Sequence, residues 1–275
     1  MTAPAVPAGG AASSAGTALD RTLRSFEHQA LLYRRTWRGS ILDSFFAPVL
    51  FLLAMGVGLG GYVDRSTGGI GGVSYLVWLA PGLMAANLMQ TASSEATFPI
   101  MGGFVWTKRF LAMHATPLGP DDIAFGHLLW VTVRLTLVGV IFVAVMLAFG
   151  VVRSPWIVAA IPAATLTGLA FNAPIAAYAA TRKTMTSFNY VFRFGITPLF
   201  LFSGTFFPVE QLPSFIQPIA WVTPLYHGVA LTRSLALGLV PADPGAALVH
   251  TAVLLAYAGA GTVAMVLAFR RRLEE

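Results

Sequence analysis

The sequence contains no cysteine and is poor in charge, with only 10% Asp, Glu, Lys and Arg among 275 residues against 56% hydrophobic ones. Each shortage excludes something. Without cysteine there is no disulfide framework, no thiolate nucleophile and no Cys-ligated metal. A soluble domain carries about a quarter charged residues, so this chain cannot cover a water-facing surface, and the remaining surface must face lipid. A phosphate-binding G-x-x-x-x-G-K-[ST] loop is absent, so the chain cannot hydrolyse ATP through a P-loop of its own. The five histidines, His28, His114, His127, His227 and His250, show no metal-ligand spacing, and no nucleophile stands beside a base. No metal site is therefore expected. Residues 1–19 lack the basic start and apolar middle of a cleavable signal peptide and read as a disordered cytoplasmic tail.

What is present is a series of long uncharged stretches. Since about 20 apolar residues cross the hydrocarbon core as a helix, they predict an all-α polytopic membrane protein with spans near 42–62, 74–97, 121–149, 155–180, 187–206 and 244–269. All six belong to one transmembrane domain, 40–272. Region 207–238 is also apolar but holds Pro213, Pro218 and Pro224. A helix broken that often cannot cross lipid unless protein or water satisfies its freed backbone groups, so the region reads as re-entrant or as a pair of short outer-surface helices.

A net charge of +6 would suggest nucleic acid in a soluble protein, but here the basic residues fall in short segments between apolar runs. Arg21, Arg24, Arg34, Arg35 and Arg38 precede span one. Lys108 and Arg109 follow span two, Arg182 and Lys183 follow span four, and Arg270, Arg271 and Arg272 close the chain. The alternate loops hold only Arg65, Arg153 and Arg233, which predicts that both termini are cytoplasmic. No nucleic-acid partner is implied. Within 20–39, Leu23, Phe26, Ala30, Tyr33 and Trp37 recur at helical spacing with arginines on other faces, as in an interfacial amphipathic helix. The alternative is a solvated basic linker.

Gly56, Gly58 and Gly61 match the dinucleotide pattern G-x-G-x-x-G but lack its strand, its helix and its acidic residue, so they read as close-packing positions in a membrane helix. Two charges, Arg134 and Arg193, lie inside spans, where a cation facing lipid is costly; Arg134 is expected to face protein or water. A membrane enzyme acting on lipid would gather several Asp, Glu or His residues at one depth, and a secondary transporter would show broken helices in both halves. Neither pattern is evident, and both remain as alternatives to a permease energised by a partner.

Two stretches carry a resemblance. Ala115-Thr116-Pro117-Leu118, followed by Asp122-Ile123 and Gly126, resembles the cytoplasmic "ATPL…DI…G" stretch of ABC-2 type permeases, particularly the NodJ-like branch. Ser203-Gly204-Thr205-Phe206-Phe207-Pro208-Val209-Glu210-Gln211-Leu212-Pro213, then Thr223-Pro224-Leu225-Tyr226-His227-Gly228, looks like that family's signature between its last two spans. Order and spacing agree across residues 20–272. One departure is His127, where the branch more often carries Glu.

The resemblance implies an exporter of lipidic, glycolipid or hydrophobic drug-like molecules. It would be built from a homodimer of this permease and two copies of a separate cytoplasmic ABC ATPase, which binds ATP and Mg²⁺; the chain itself needs no cofactor and is not an enzyme. It also implies that the loop after span two contacts that ATPase. On its residues alone, segment 105–117 reads equally as a docking helix or as a charged loop that only fixes topology. With the resemblance, Lys108, Arg109, Phe110, His114, Thr116 and Pro117 become the expected contact residues, with Phe110 as the apolar anchor. Spans one, two and five are the expected cavity walls, and Phe45, Met55, Asn87, Gln90 and Phe194 are candidate lining residues, although Met and Phe also serve as packing or lipid-facing groups. Membrane lipids are the remaining expected partner.

Overall fold

The computed structural model describes residues 17–275, apart from the side chains of Thr36, Ile41, Asp43 and Ala47; of the expected tail 1–19, residues 1–16 lie outside the described residues. Helix begins before residue 20. Thr17 caps α1 (Ala18–Phe51) in a reciprocal box, its hydroxyl accepting from the Asp20 N–H while the Asp20 carboxylate accepts from the Thr17 N–H at 2.9 Å. The chain then continues without a break through a π-helical segment, Leu52–Leu59, into α2 (Gly60–Thr67). No boundary separates the expected interfacial helix 20–39 from the expected span 42–62. The reason is local: Gly39 costs a helix only about 1 kcal/mol, and no proline follows until Pro48. The rod ends at Gly68, which takes the left-handed conformation that a helix C-terminus favours in glycine, at φ 73°.

The remaining helices are α3 (Tyr75–Ala96), α4 (Phe98–Val105), α5 (Arg109–His114), α6 (Pro120–Ala148) and α7 (Ile157–Ala180). After them come α8 (Thr186–Tyr190), a second π-helical segment (Val191–Ile196), α9 (Thr197–Phe202), α10 (Gln217–Val222), α11 (Pro224–Leu237) and α12 (Pro244–Glu274). Among the described residues the extended structure is a single isolated bridge between Ile70 and Val73. The architecture is all-α.

Among the described residues, four helices are long and apolar enough to cross a membrane: Trp37–Thr67, Pro120–Ala148, Ile157–Ala180 and Pro244–Glu274. Helix α3 is less apolar for a physical reason. It is buried along most of its length between α6, α7 and α11, so Ser93 is enclosed by protein and Glu95 meets Arg134 of α6, while Asn87 and Gln90 are half-buried. The helix running through 186–202 stops short of the expected 206, because Ser203 leaves helical geometry and Gly204 turns the chain at φ 82°.

Helix α7 sits at the centre, against α3, α6, α11 and α12, while α1 lies along α6. Small residues set these distances. A Cβ on Gly228 would stand 2.3 Å from the Thr167 hydroxyl, and one on Gly261 would stand 2.5 Å from the Pro174 ring, so α11 and α12 reach α7 only because those positions lack side chains. Of the glycines in the decoy motif, Gly56 is a close-packing position, with Leu76 where its Cβ would be, whereas Gly61 faces open space.

Candidate functional site

One end of the bundle gathers α4, α5, the start of α6 and the end of α12. The chain folds back after α4 at Lys108, the one described non-glycine residue with positive φ, at 50°. Helix α5 follows and ends at His114, where Thr116 donates from its hydroxyl to the Met113 carbonyl and Pro117 prevents continuation. Phe110 points inward. Its ring is 1% exposed, with centroids 4.8 Å from Phe104 and 5.4 Å from Phe269, and it lies where a Cβ on Gly103 would otherwise be, 2.3 Å away. Phe110, expected from the sequence as an anchor in a partner groove, is buried here within this chain, where its ring locks α5 onto α4 and α12.

Arg109 is also turned in. It donates to the Pro99 carbonyl at 3.0 Å, and its buried Nε has no hydrogen-bond partner among the described residues. Burial holds this guanidinium below its ordinary pKa, with Glu95 opposing the shift, and the nearby His28 imidazole is lowered by its own burial and then by Arg109. His114 is half-buried, 3.4 Å from the Leu118 carbonyl. Of the expected contact residues, Lys108, Thr116 and Pro117 are exposed. Two exposed apolar side chains that the sequence reading missed stand beside them: Trp106, 54% exposed, and Leu111, 42% exposed. Phe110 and Leu111 are adjacent and equally apolar, so no signal in the sequence says which faces in.

The motif residues that follow tie this end together. Asp122 accepts from the Gly119 N–H at 2.9 Å, capping α6, and receives Arg21 of α1 at 2.9 Å. Gly126 admits α1, since its Cβ would lie 2.3 Å from the Ser25 hydroxyl. Asp121 pairs with Arg270 of α12, with Nε 2.6 Å from Oδ1. His127 is buried, and neither ring nitrogen has a hydrogen-bond partner among the described residues.

At the opposite end, the long motif forms a compact cap. Arg233 of α11 lies 3.7 Å from the centroid of the Trp78 ring and donates to the carbonyls of Trp78 at 3.0 Å and Gly204 at 2.9 Å. The Tyr75 hydroxyl donates to the Phe206 carbonyl at 2.9 Å. Thr223 caps α11, and His227 meets His250 of α12 with Nδ1 atoms 2.8 Å apart. Arg233, read from the sequence only as a loop charge, is the residue that joins α11, α3 and the Ser203-Gly204 turn.

The model of the family described as "ABC-2 type transporter" matches residues 22–237, a range that takes in both motif stretches, 115–126 and 203–228. The chain belongs to this family. Nodulation protein J of Rhizobium leguminosarum bv. viciae is 32% identical over 88% of this chain and 91% of its own length. Nodulation protein J of Rhizobium meliloti (strain 1021) is 28% identical over 88% and 90%. The inner membrane transport permease YadH of Escherichia coli (strain K12) is 22% identical over 75% of this chain and 79% of its own. The chain is an integral membrane protein of a transporter family, and YadH among its relatives is named a transport permease.

The charges inside this ABC-2 type transporter's helices have different surroundings. Arg134 of α6 meets Glu95 of α3 at 3.2 Å and lies 5.2 Å from the Tyr33 ring, so it faces protein as its position in a span requires. Arg193 is exposed, with its guanidinium carbon 6.0 Å from the centroid of the neighbouring Phe194 ring. Of the candidate lining residues, Met55 borders a cavity of about 860 Å³ between the first π-helical segment, α9 and the cap, together with Phe51, Leu59, Tyr75, Phe200 and Phe206. Phe45 and Phe194 are exposed on the outside of the bundle, and Asn87 and Gln90 are half-buried on α3. The structure does not bring these five into one site.

Proposed function

We propose that the chain is the membrane-spanning permease subunit of an ABC exporter, moving a lipidic, glycolipid or hydrophobic drug-like molecule outward across a bacterial cytoplasmic membrane. The four long apolar helices, α3 and the helix through 186–202 make six spans, with both termini cytoplasmic. The cap region 207–238, whose helix α11 lies buried against α3 and α7, is re-entrant from the outer face. Two copies work with two copies of a separate cytoplasmic ATPase. The chain has no phosphate loop, so ATP and Mg²⁺ belong to that partner.

The observation that carries this reading is α5. A loop that only fixes topology has no need of a fully buried aromatic ring, an inward arginine and a strained turn at Lys108. Here they hold a short helix rigidly against α4 and α12 while Trp106, Lys108, Leu111, Thr116 and Pro117 stay exposed. Such a piece transmits force. Closure of an ATPase pair against the exposed side would move α4 and α12 with α5 and change which face of the membrane the inter-subunit cavity opens to. The family's description as a transporter and the name of the transport permease YadH support the same reading.

Inverted vesicles carrying this chain with its ATPase should accumulate a fluorescent amphiphile in an ATP-dependent way, and vesicles carrying the chain alone should not. Uptake by the chain alone, driven by an ion gradient, would replace the exporter with a secondary transporter.

A further inference from the structure

Within the expected span 187–206, one helix face does not suit lipid. Asn189, Arg193 and Thr197 follow one another at four-residue spacing and are all exposed, forming a polar stripe along the helix. Beside it runs an aromatic stripe. Tyr190 is 63% exposed and Phe194 69%, and their rings stack with an interplanar angle of 16° and centroids 6.2 Å apart. Arg193 and Phe194 sit in the π-helical segment Val191–Ile196, and irregular turns of this kind occur frequently at functional sites. The other described π-helical segment, Leu52–Leu59, lies on span one and contributes Met55 and Leu59 to the apolar cavity, whose far wall includes Phe200 of α9. The edge of the Phe51 ring meets Phe200 with centroids 5.9 Å apart, so the two irregular helices adjoin.

The contrast with Arg134 decides what the polar stripe is for. Arg134 has a carboxylate at 3.2 Å, an aromatic ring beneath it and a largely covered side chain. Arg193 is exposed, and among the described residues no carboxylate pairs with it. A cation inside a span without a protein anion must find one in water or in a ligand. We infer that the Asn189–Arg193–Thr197 stripe, flanked by Tyr190 and Phe194, is a recognition track for the anionic head group of an amphiphilic substrate, whose apolar part lies along the adjoining aromatic and aliphatic surface. The inference rests on the transport reading above and names the substrate class: an amphiphile with a phosphate, sulfate or carboxylate head. Arg193 supplies the charge, Asn189 and Thr197 supply neutral hydrogen bonds, and the aromatic pair supplies a flat apolar face.

The test uses the purified full-length permease in phosphatidylcholine nanodiscs and two radiolabelled probes of equal chain length, hexadecyl phosphate and hexadecyl maltoside. Hydrogen bonds to a charged group contribute about 1.5–3 kcal/mol, so Arg193→Gln should weaken hexadecyl phosphate binding about tenfold to a hundredfold and leave hexadecyl maltoside unchanged. Arg193→Lys should retain most of the binding. Equal binding by wild type and Arg193→Gln, or equal loss of both probes, overturns the proposal. So does full competition by phosphatidylglycerol added to the disc, which would make the residue a contact for surrounding lipid. A shift from dimer to monomer in Arg193→Gln also overturns it, since Arg193 would then be held by the second copy. If Arg193→Gln does not insert, Asn189→Ala and Thr197→Val test the same track, with a several-fold loss selective for the phosphate expected and no loss overturning it. No ATPase takes part in this assay, so its failure leaves the exporter reading standing.

Discussion

At the scale of single residues, Arg134 and Glu95 show how a charge is tolerated inside a span. The two come from α6 and α3, approach to 3.2 Å and are mostly shielded from solvent, while the Tyr33 ring on α1 covers the guanidinium. Removing one partner leaves the other charge poorly solvated, which in buried pairs costs about 3–5 kcal/mol, and somewhat less here because both side chains keep some exposure. Arg134→Ala and Glu95→Ala should each lower the thermal unfolding temperature of the detergent-solubilised protein by several degrees. The double variant should lose less than the sum. Strict additivity in that double-mutant cycle would mean that the pair does not interact.

At the scale of elements, α5 separates residues that hold it from residues that it presents. Phe110 fills a site bounded by Phe104, Phe269 and the bare backbone of Gly103. Truncating a fully buried Phe to Ala costs about 3–5 kcal/mol, so Phe110→Ala should destabilise the permease itself and expose the 105–117 segment to protease, with or without an ATPase present. Leu111→Ala and Trp106→Ala should leave the melting temperature nearly unchanged and instead weaken co-purification of the ATPase, because exposed apolar groups at the centre of an interface carry more binding energy than rim charges. The reverse pattern, with Phe110→Ala stable but uncoupled, would restore the contact role first expected for that ring. The family's "DI…G" stretch has a comparable physical meaning: Asp122 caps α6 and receives Arg21, and Gly126 lets α1 approach.

At the scale of the whole molecule, orientation is directly testable because the chain has no cysteine to remove. Thr107 lies beside α5 and Ser214 in the cap, and both are exposed. With both termini cytoplasmic, Thr107→Cys should react with a membrane-impermeant maleimide only in inverted vesicles, and Ser214→Cys only in right-side-out cells. Labelling of both from one side would contradict the six-span topology, since an even number of crossings separates points on the same face.

Some of this was legible in the sequence because it depends on composition and spacing alone. Scarce charge and long apolar runs specify a helical membrane protein without reference to any contact, since lipid contact demands apolar side chains and a backbone bonded within each segment. The placement of Lys and Arg carries the expected orientation, and the two motifs carry the family. Direction within a helix was not legible. The sequence cannot say that Phe110 and Arg109 turn inward while Trp106 and Leu111 turn outward, that Glu95 rather than a carbonyl answers Arg134, or that Arg233 ties the cap to Trp78 and Gly204. Nor did it show that the first helix runs unbroken from Ala18 to Thr67. Those outcomes depend on which surfaces of neighbouring helices come within contact distance, and that is settled by packing between segments that lie far apart in the chain.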